Sequence, residues 1–261
     1  MEFIDTHSHF YVQDFDKDRD EIIKESLAEG VSRILLPNID LDSMQTLLNV
    51  CETYPQTCYP MLGLHPCDVK ENYKEVLQKI FDYFPHHKFI GVGEVGIDLY
   101  WDTAFINEQK EAFRFQIQFA LKHNLPLIIH KRQSYNETMD VLNEFQGEKL
   151  RGIFHCYSGS LPHAEEVIEK GFLLGIGGTV TYKSSNLDTI LPSIPLKHIV
   201  LETDAPYLTP NPHRGSRNKS SYIPLIAQRI AEIKQTSIAE VAAQTTKNAI
   251  ELFSLLEVLS W

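Results

Sequence analysis

The sequence predicts an α/β fold in which eight βα units close into a single-domain TIM (β/α)8 barrel. Three observations predict it. The chain has 261 residues, enough for one large core and a common length for a single α/β barrel. Short apolar runs alternate with longer segments of helical period, the pattern of a parallel sheet wrapped by helices. Eight such runs occur, and eight strands are what a closed barrel requires.

The predicted strands are Phe3–His7, Arg33–Pro37, Tyr59–His65, Phe89–Glu94, Pro126–His130, Arg151–His155, Phe172–Gly177 and His198–Asp204. Runs such as Leu127-Ile128-Ile129 and Ile199-Val200-Leu201 are apolar without alternation, as expected of strands covered on both faces. Between them stand helix signals. Ser134-x-x-Glu137 and Ser237-x-x-Glu240 read as capping boxes, and Ser160-Leu161-Pro162 reads as a helix start. Gly30 and Gly171 sit where helices should stop. Asn107–His123 places Ala112, Phe113, Phe115, Ile117, Phe119 and Ala120 along a mostly buried helix. Thr236–Leu256 should form a last helix against the outside or base of the barrel. No linker, low-complexity tract or repeat divides residues 1–261, so one domain is expected.

Composition is that of a soluble enzyme, with 43% hydrophobic and 23% charged residues. No apolar run approaches the ~20 residues that span a bilayer. The opening Met1-Glu2-Phe3-Ile4-Asp5 lacks the basic and apolar regions of a secretory signal. Cys51, Cys58, Cys67 and Cys156 show no C-x-x-C spacing, which suits reduced thiols in a cytoplasmic protein. The net charge of −11 excludes a broad basic surface for coating nucleic acid, though not a local cationic site.

The strand ends carry the chemistry. Strand one ends in His7 and His9, strand three in His65, strand four in Glu94, strand five in His130, strand six in His155 and strand eight in Asp204. Side chains at the C-terminal ends of barrel strands line the active site, so residues scattered along the chain converge on one mouth. All are imidazoles or carboxylates, the ligand types of zinc, manganese and magnesium. A lone histidine at a strand end is more often a hydrogen-bonded core residue than a ligand. Six or seven such residues at one end of successive strands are not explained that way. The other histidines carry no such pattern: His86 and His87 fall in a polar connection, His123 and His163 in helices, and His198 at the opposite end of a strand. His213 lies in the loop after Asp204 and is ambiguous.

A carboxylate has two oxygens, so Glu94 can bridge two ions, whereas each ring nitrogen serves one. Two ions ~3.5–4 Å apart hold the attacking and leaving oxygens of a phosphoryl displacement. Asp204 can bind an ion and accept the proton of the attacking water. Asp5 and Glu202 are candidates to orient imidazoles through their second nitrogen, and Glu202 reads equally as a core-lining acid.

Asp5-Thr6-His7-Ser8-His9, Gly63-Leu64-His65-Pro66, Gly93-Glu94-Val95-Gly96-Ile97-Asp98, His155-Cys156-Tyr157-Ser158-Gly159 and Glu202-Thr203-Asp204-Ala205-Pro206-Tyr207 resemble, in order, the motifs of the TatD family. The resemblance runs from residue 5 to about residue 222, and the last motif with Arg214-Gly215-Ser216-Arg217-Asn218 is its most specific part. It implies a metal-dependent hydrolase of the amidohydrolase type, a deoxyribonuclease that trims DNA from a 3′ end, usually with two magnesium or manganese ions. Zinc is also compatible with these ligands. One ion would take His7, His9 and Asp204, the other His130 and His155, with Glu94 between them and His65 on the scissile phosphate. The chain departs from the family at Lys219-Ser220, where Glu-Pro is usual, and at Lys131-Arg132, where Ser/Thr-Arg is usual. Both changes add positive charge near the mouth.

The loop cations Arg214, Arg217 and Lys219, beside Asn218 and Tyr222, and the pair Lys131 and Arg132 suit phosphate oxygens. Tyr100, Trp101 and Tyr157 suit stacking on the bases of a single strand or frayed end. Three function classes follow: a two-metal nuclease working as a monomer on DNA, a metal-dependent hydrolase of a small ester or amide, and a non-catalytic metal-binding barrel.

Overall fold

The computed structural model describes residues 1–101 and 103–255. Eight parallel strands form its centre: β1 (Phe3–Asp5), β2 (Val31–Pro37), β3 (Cys58–Met61), β4 (Val92–Asp98), β5 (Leu127–Arg132), β6 (Gly152–Phe154), β7 (Phe172–Ile176) and β8 (Ile199–Leu201). They pair in chain order, as β1-β2-β3 and as β4-β5-β6-β7-β8. Backbone bonds join the two series at both seams. Leu62 N donates to Gly91 O at 3.1 Å and Gly93 N to Leu62 O at 2.9 Å; Thr6 N donates to Leu201 O at 3.0 Å. The expected barrel is the observed fold.

The outer layer consists of α1 (Arg19–Ala28), α2 (Met44–Thr53), α3 (Tyr73–Phe81), α4 (Ile106–His123), α5 (Tyr135–Asn143), α6 (Leu161–Glu169), the short α7 (Leu187–Ile190), α8 (Ile223–Lys234) and α9 (Ile238–Phe253). Two cores result. The larger lies between strands and helices. The smaller takes Ile4, Leu35, Met61, Ile128, Ile153 and Val200 from six strands and is closed from below by Leu252, Phe253 and Leu255. The last helix therefore plugs the base of the barrel, leaving the C-terminal mouth as the open end. Leu256, the predicted end of that helix, lies outside the described residues.

Several local expectations change. Ser237 and Ser160 cap their helices, accepting from Glu240 N and His163 N. Ser134 does not; its hydroxyl donates to Ile97 O at 2.5 Å, tying α5 to β4 instead. Gly30 turns at φ 87°, and a Cβ there would meet Met1 O at 2.5 Å. Phe115 on α4 is 39% exposed rather than buried, stacked edge-on against Phe81. Strands one, three, six and eight are shorter than predicted, whereas β4 and β5 run past Glu94 and His130 to Asp98 and Arg132.

Candidate metal centre

Beyond β1 the chain stays extended, held by Ser8 against Ala205, so His7 and His9 point to one side, as alternation demands. Both are buried, and their Nε2 atoms stand 3.1 Å apart. Glu94 enters differently. Val92 pairs with Leu127 but Val95 with Ile129, so β4 carries one extra residue at Gly93-Glu94. A bulge of this kind re-aims a side chain. Here it delivers the Glu94 carboxylate to the centre of the mouth from mid-strand, not from the strand end.

The two oxygens of Glu94 face different groups. Oε2 lies 3.1 Å from His7 Nε2 and 3.5 Å from His9 Nε2. Oε1 lies 2.8 Å from His130 Nδ1, 3.1 Å from His155 Nε2 and 3.4 Å from His65 Nε2. Asp204 completes the first side, with Oδ1 3.6 Å from His7 Nε2 and 3.5 Å from His9 Nε2. Its backbone turns at φ 58°, and its N–H donates to His7 O, which locks the end of β8 onto the end of β1.

Outer contacts fix which ring nitrogen faces inward. Tyr11 donates its only proton to Pro37 O at 2.5 Å, so towards His9 Nδ1, 2.9 Å away, it acts as acceptor. His9 then keeps a proton on Nδ1 and turns Nε2 to the centre, where an ion would displace the second proton. Asp98 Oδ2 lies 2.8 Å from His130 Nε2, leaving Nδ1 for the centre, while Asp98 Oδ1 accepts from Tyr100 N at 2.9 Å and Trp101 N at 3.2 Å. Glu202 Oε1 accepts from Cys156 N and lies 3.5 Å from His155 Nδ1, beside that imidazole but without a hydrogen bond to it. Asp5 orients no imidazole. Its carboxylate accepts from the backbone N–H of His7 and Thr203 and from the hydroxyls of Thr203 and Ser220, clamping β1 to the loop after β8. Burial pushes Asp5 up to about 7 despite these donors.

Electrostatics agree with the geometry. Burial works against ionisation of Glu94, yet the surrounding His155, His65 and His7 hold its carboxyl well below the usual range. Asp204 is held low in the same way, by the His9 hydrogen bond and the neighbouring imidazoles against burial. Burial pulls His9 down, but its bonds to Asp204 and Glu94 push it up to about 9. His155 is likewise raised, with Glu94 and Glu202 overcoming burial. Imidazole nitrogens and two ionised carboxylates thus converge on one buried point, and three overlapping triads there have metal-ligand spacing: His7-His9-Glu94, His7-His155-Asp204 and His65-Glu94-His130. The donor set fits a divalent cation.

A cleft of about 530 Å³ opens over this cluster, walled by His65, Asp68, Trp101, Arg132, Tyr207 and Leu208. His65 Nδ1 accepts from Cys67 N at 3.1 Å, so the ring proton is on Nε2, which offers a donor. Arg132 lies over the rings of Tyr100 and Trp101.

Of the remaining predicted substrate contacts, all but Arg214 are corrected. Tyr157 is 3% exposed and its hydroxyl donates to Ser160 O at 2.7 Å; the ring packs inside the βα turn and cannot meet a base. Arg217 pairs with Asp18 at 2.5 Å and bonds Asp14 O, and Lys219 pairs with Glu25 at 2.6 Å. Both are consumed in fastening the loop after β8 to α1, so Lys219 adds no free charge at the mouth. Asn218 is buried, donating to Thr203 O and Tyr207 O, and Tyr222 stacks on His213. Arg214 is exposed over the Tyr182 ring, outside the cleft. Sequence reasoning gave no role to Tyr11, nor to Tyr207 and Asp98, which end two of the motifs. Asp98 had a signal, because it follows Glu94 at the i+4 spacing of one strand face.

Residues 4–254 match the family model described as TatD related DNase. The chain is 37% identical over 252 residues to an uncharacterized metal-dependent hydrolase, YabD, of Bacillus subtilis, covering 96% of this chain and 98% of that one. It is 31% identical over 249 residues to the 3′-5′ ssDNA/RNA exonuclease TatD of Escherichia fergusonii, covering 92% and 95%. The crystal structure of YjjV, a TatD homolog from Escherichia coli K12, superposes with a TM-score of 0.90 at 28% identity, covering 97% and 98%. The chain belongs to the TatD family of metal-dependent hydrolases.

Proposed function

We propose that the protein hydrolyses phosphodiester bonds of single-stranded DNA, trimming from the 3′ end, with two divalent ions in the cluster at the barrel mouth. The observation that carries this reading is the division of Glu94: one oxygen faces His7 and His9, the other faces His130 and His155. His7, His9 and Asp204 would hold one ion, His130 and His155 the other, with Glu94 shared. Magnesium or manganese is the expected pair, and the imidazole content also suits zinc. Ions so held supply Lewis acidity, acidifying water and offsetting phosphoryl charge. Asp204, ionised and placed beside His9, accepts the proton of the attacking water. His65 donates Nε2–H to a phosphoryl oxygen, and Arg132 on the cleft wall offers a bidentate guanidinium. All six ligands come from one barrel, so the reading needs one domain and one subunit. An exonuclease of the same family in Escherichia fergusonii is named for single-stranded DNA and RNA, which supports this substrate class.

The test is purified protein given an end-labelled single-stranded oligonucleotide with and without manganese. Ion-dependent shortening from the 3′ end is expected. Turnover of small esters or amides with no polynucleotide cleavage would refute the reading.

A further inference from the structure

The two sides of the barrel mouth differ in how their cations are used. On the α1 side three of them are matched by acids, Arg19 with Asp16 at 2.6 Å, Arg217 with Asp18 at 2.5 Å and Lys219 with Glu25 at 2.6 Å, although Arg217 also lies over the Phe15 ring and Lys219 over the Tyr222 ring. On the loops after β4, β5, β7 and β8 they lie on aromatic rings. Arg132 stands 3.8 Å from the Tyr100 ring centroid and 5.2 Å from that of Trp101, Lys131 stands 5.9 Å from Tyr135, and Arg214 stands 4.2 Å from Tyr182. Among the described residues none of these three cations forms an ion pair with an acid. The strands that carry these groups follow one another round the barrel in the order β4-β5-β6-β7-β8, so the groups lie along one side of the mouth.

A cation laid on a ring keeps its charge for a phosphate while the ring supplies a stacking face. A cation already paired with a carboxylate has no charge left for a phosphate, whatever ring lies beneath it. The net charge of −11 repels a polyanion elsewhere, which confines it to the side where positive charge is unspent. We propose that a single-stranded nucleic acid crosses the mouth along this arc, from Trp101 and Arg132 at the cleft towards Tyr182 and Arg214, and that the α1 side carries none of it. This rests on the phosphodiesterase reading and adds the path of the strand.

The test measures binding of a fluorescent phosphorothioate oligothymidylate of about sixteen nucleotides, which resists cleavage, to the manganese-loaded protein. Trp101→Ala and Arg214→Glu change exposed side chains, and Lys17→Glu reverses an exposed charge on the α1 side. Trp101→Ala and Arg214→Glu should each weaken binding about fivefold or more, and Arg214→Glu should flatten the log–log salt dependence by about 0.7 for each phosphate no longer neutralised. Lys17→Glu should change affinity by no more than about twofold. Equal weakening by all three, wild-type affinity in the two arc variants, or no binding by the wild type would overturn the proposal. Cleavage of a thymidine dinucleotide by the same preparations separates the strand path from the nuclease reading. Oligomer binding with the expected losses but no dinucleotide cleavage would sink the nuclease reading alone. Cleavage without selective loss of oligomer binding would sink the arc alone.

Discussion

Replacing Asp98 with asparagine should remove one ion and leave the other. Asp98 uses both oxygens as acceptors: Oδ2 faces His130 Nε2 at 2.8 Å, and Oδ1 takes Tyr100 N and Trp101 N. An amide has one acceptor and one donor, so either orientation sets donor against donor. If the amide nitrogen faces His130, the ring must move its proton to Nδ1, the atom 2.8 Å from Glu94, and that lone pair is lost to the ion. If it faces the loop, two backbone N–H groups lose their acceptor. A charge-assisted hydrogen bond contributes about 1.5–3 kcal/mol, which corresponds to roughly 10–100-fold in affinity. Outer partners of metal ligands show the same range, ~10–100-fold. Calorimetric titration of Asp98→Asn with manganese should show the site of His130 and His155 weakened about 100-fold and that of His7, His9 and Asp204 within about threefold. Wild-type affinity at both sites would refute the role given to Asp98.

Asp204→Asn should keep the fold by circular dichroism and lower the rate of phosphodiester cleavage about 10²–10⁴-fold; activity within a few-fold would remove Asp204 as the proton acceptor. His65→Ala should retain bound metal by elemental analysis while cleavage slows by about 10²-fold, because its Nε2–H serves the substrate; loss of an ion would make His65 a ligand. Metal affinity should rise with pH. His9 is pushed up to about 9 in the metal-free protein, so an incoming ion displaces its proton, at about tenfold in affinity per pH unit and proton up to that pH. The same raised value stabilises the metal-free fold below pH ~6.5, a contribution lost as pH rises through about 9. A flat manganese affinity between pH ~6 and ~8 would contradict this.

The barrel and the cluster of imidazoles and carboxylates at its mouth were legible because both follow from local pattern. Non-alternating apolar runs announce buried parallel strands, and the residue types at their ends announce the mouth. What sequence missed depends on long-range partners or on register. The strand containing Glu94 was expected to stop there, whereas the bulge lets it run on to Asp98, hiding the group that orients His130. Tyr11 is informative only through Pro37, which takes its proton and lies on another strand. Arg217 and Lys219 read as free cations in sequence because Asp18 and Glu25, about two hundred residues away, meet them only in the fold. Tyr157 misleads because an aromatic in a polar motif looks exposed until the turn folds over it.

The proposed mechanism rests on Glu94 dividing two ions between its oxygens. Anomalous diffraction from manganese-soaked crystals tests this division most directly. Two peaks ~3.5–4 Å apart, one beside His7, His9 and Asp204 and one beside His130 and His155, are predicted. A single peak, or a second ion held by His65 away from Glu94, would contradict it.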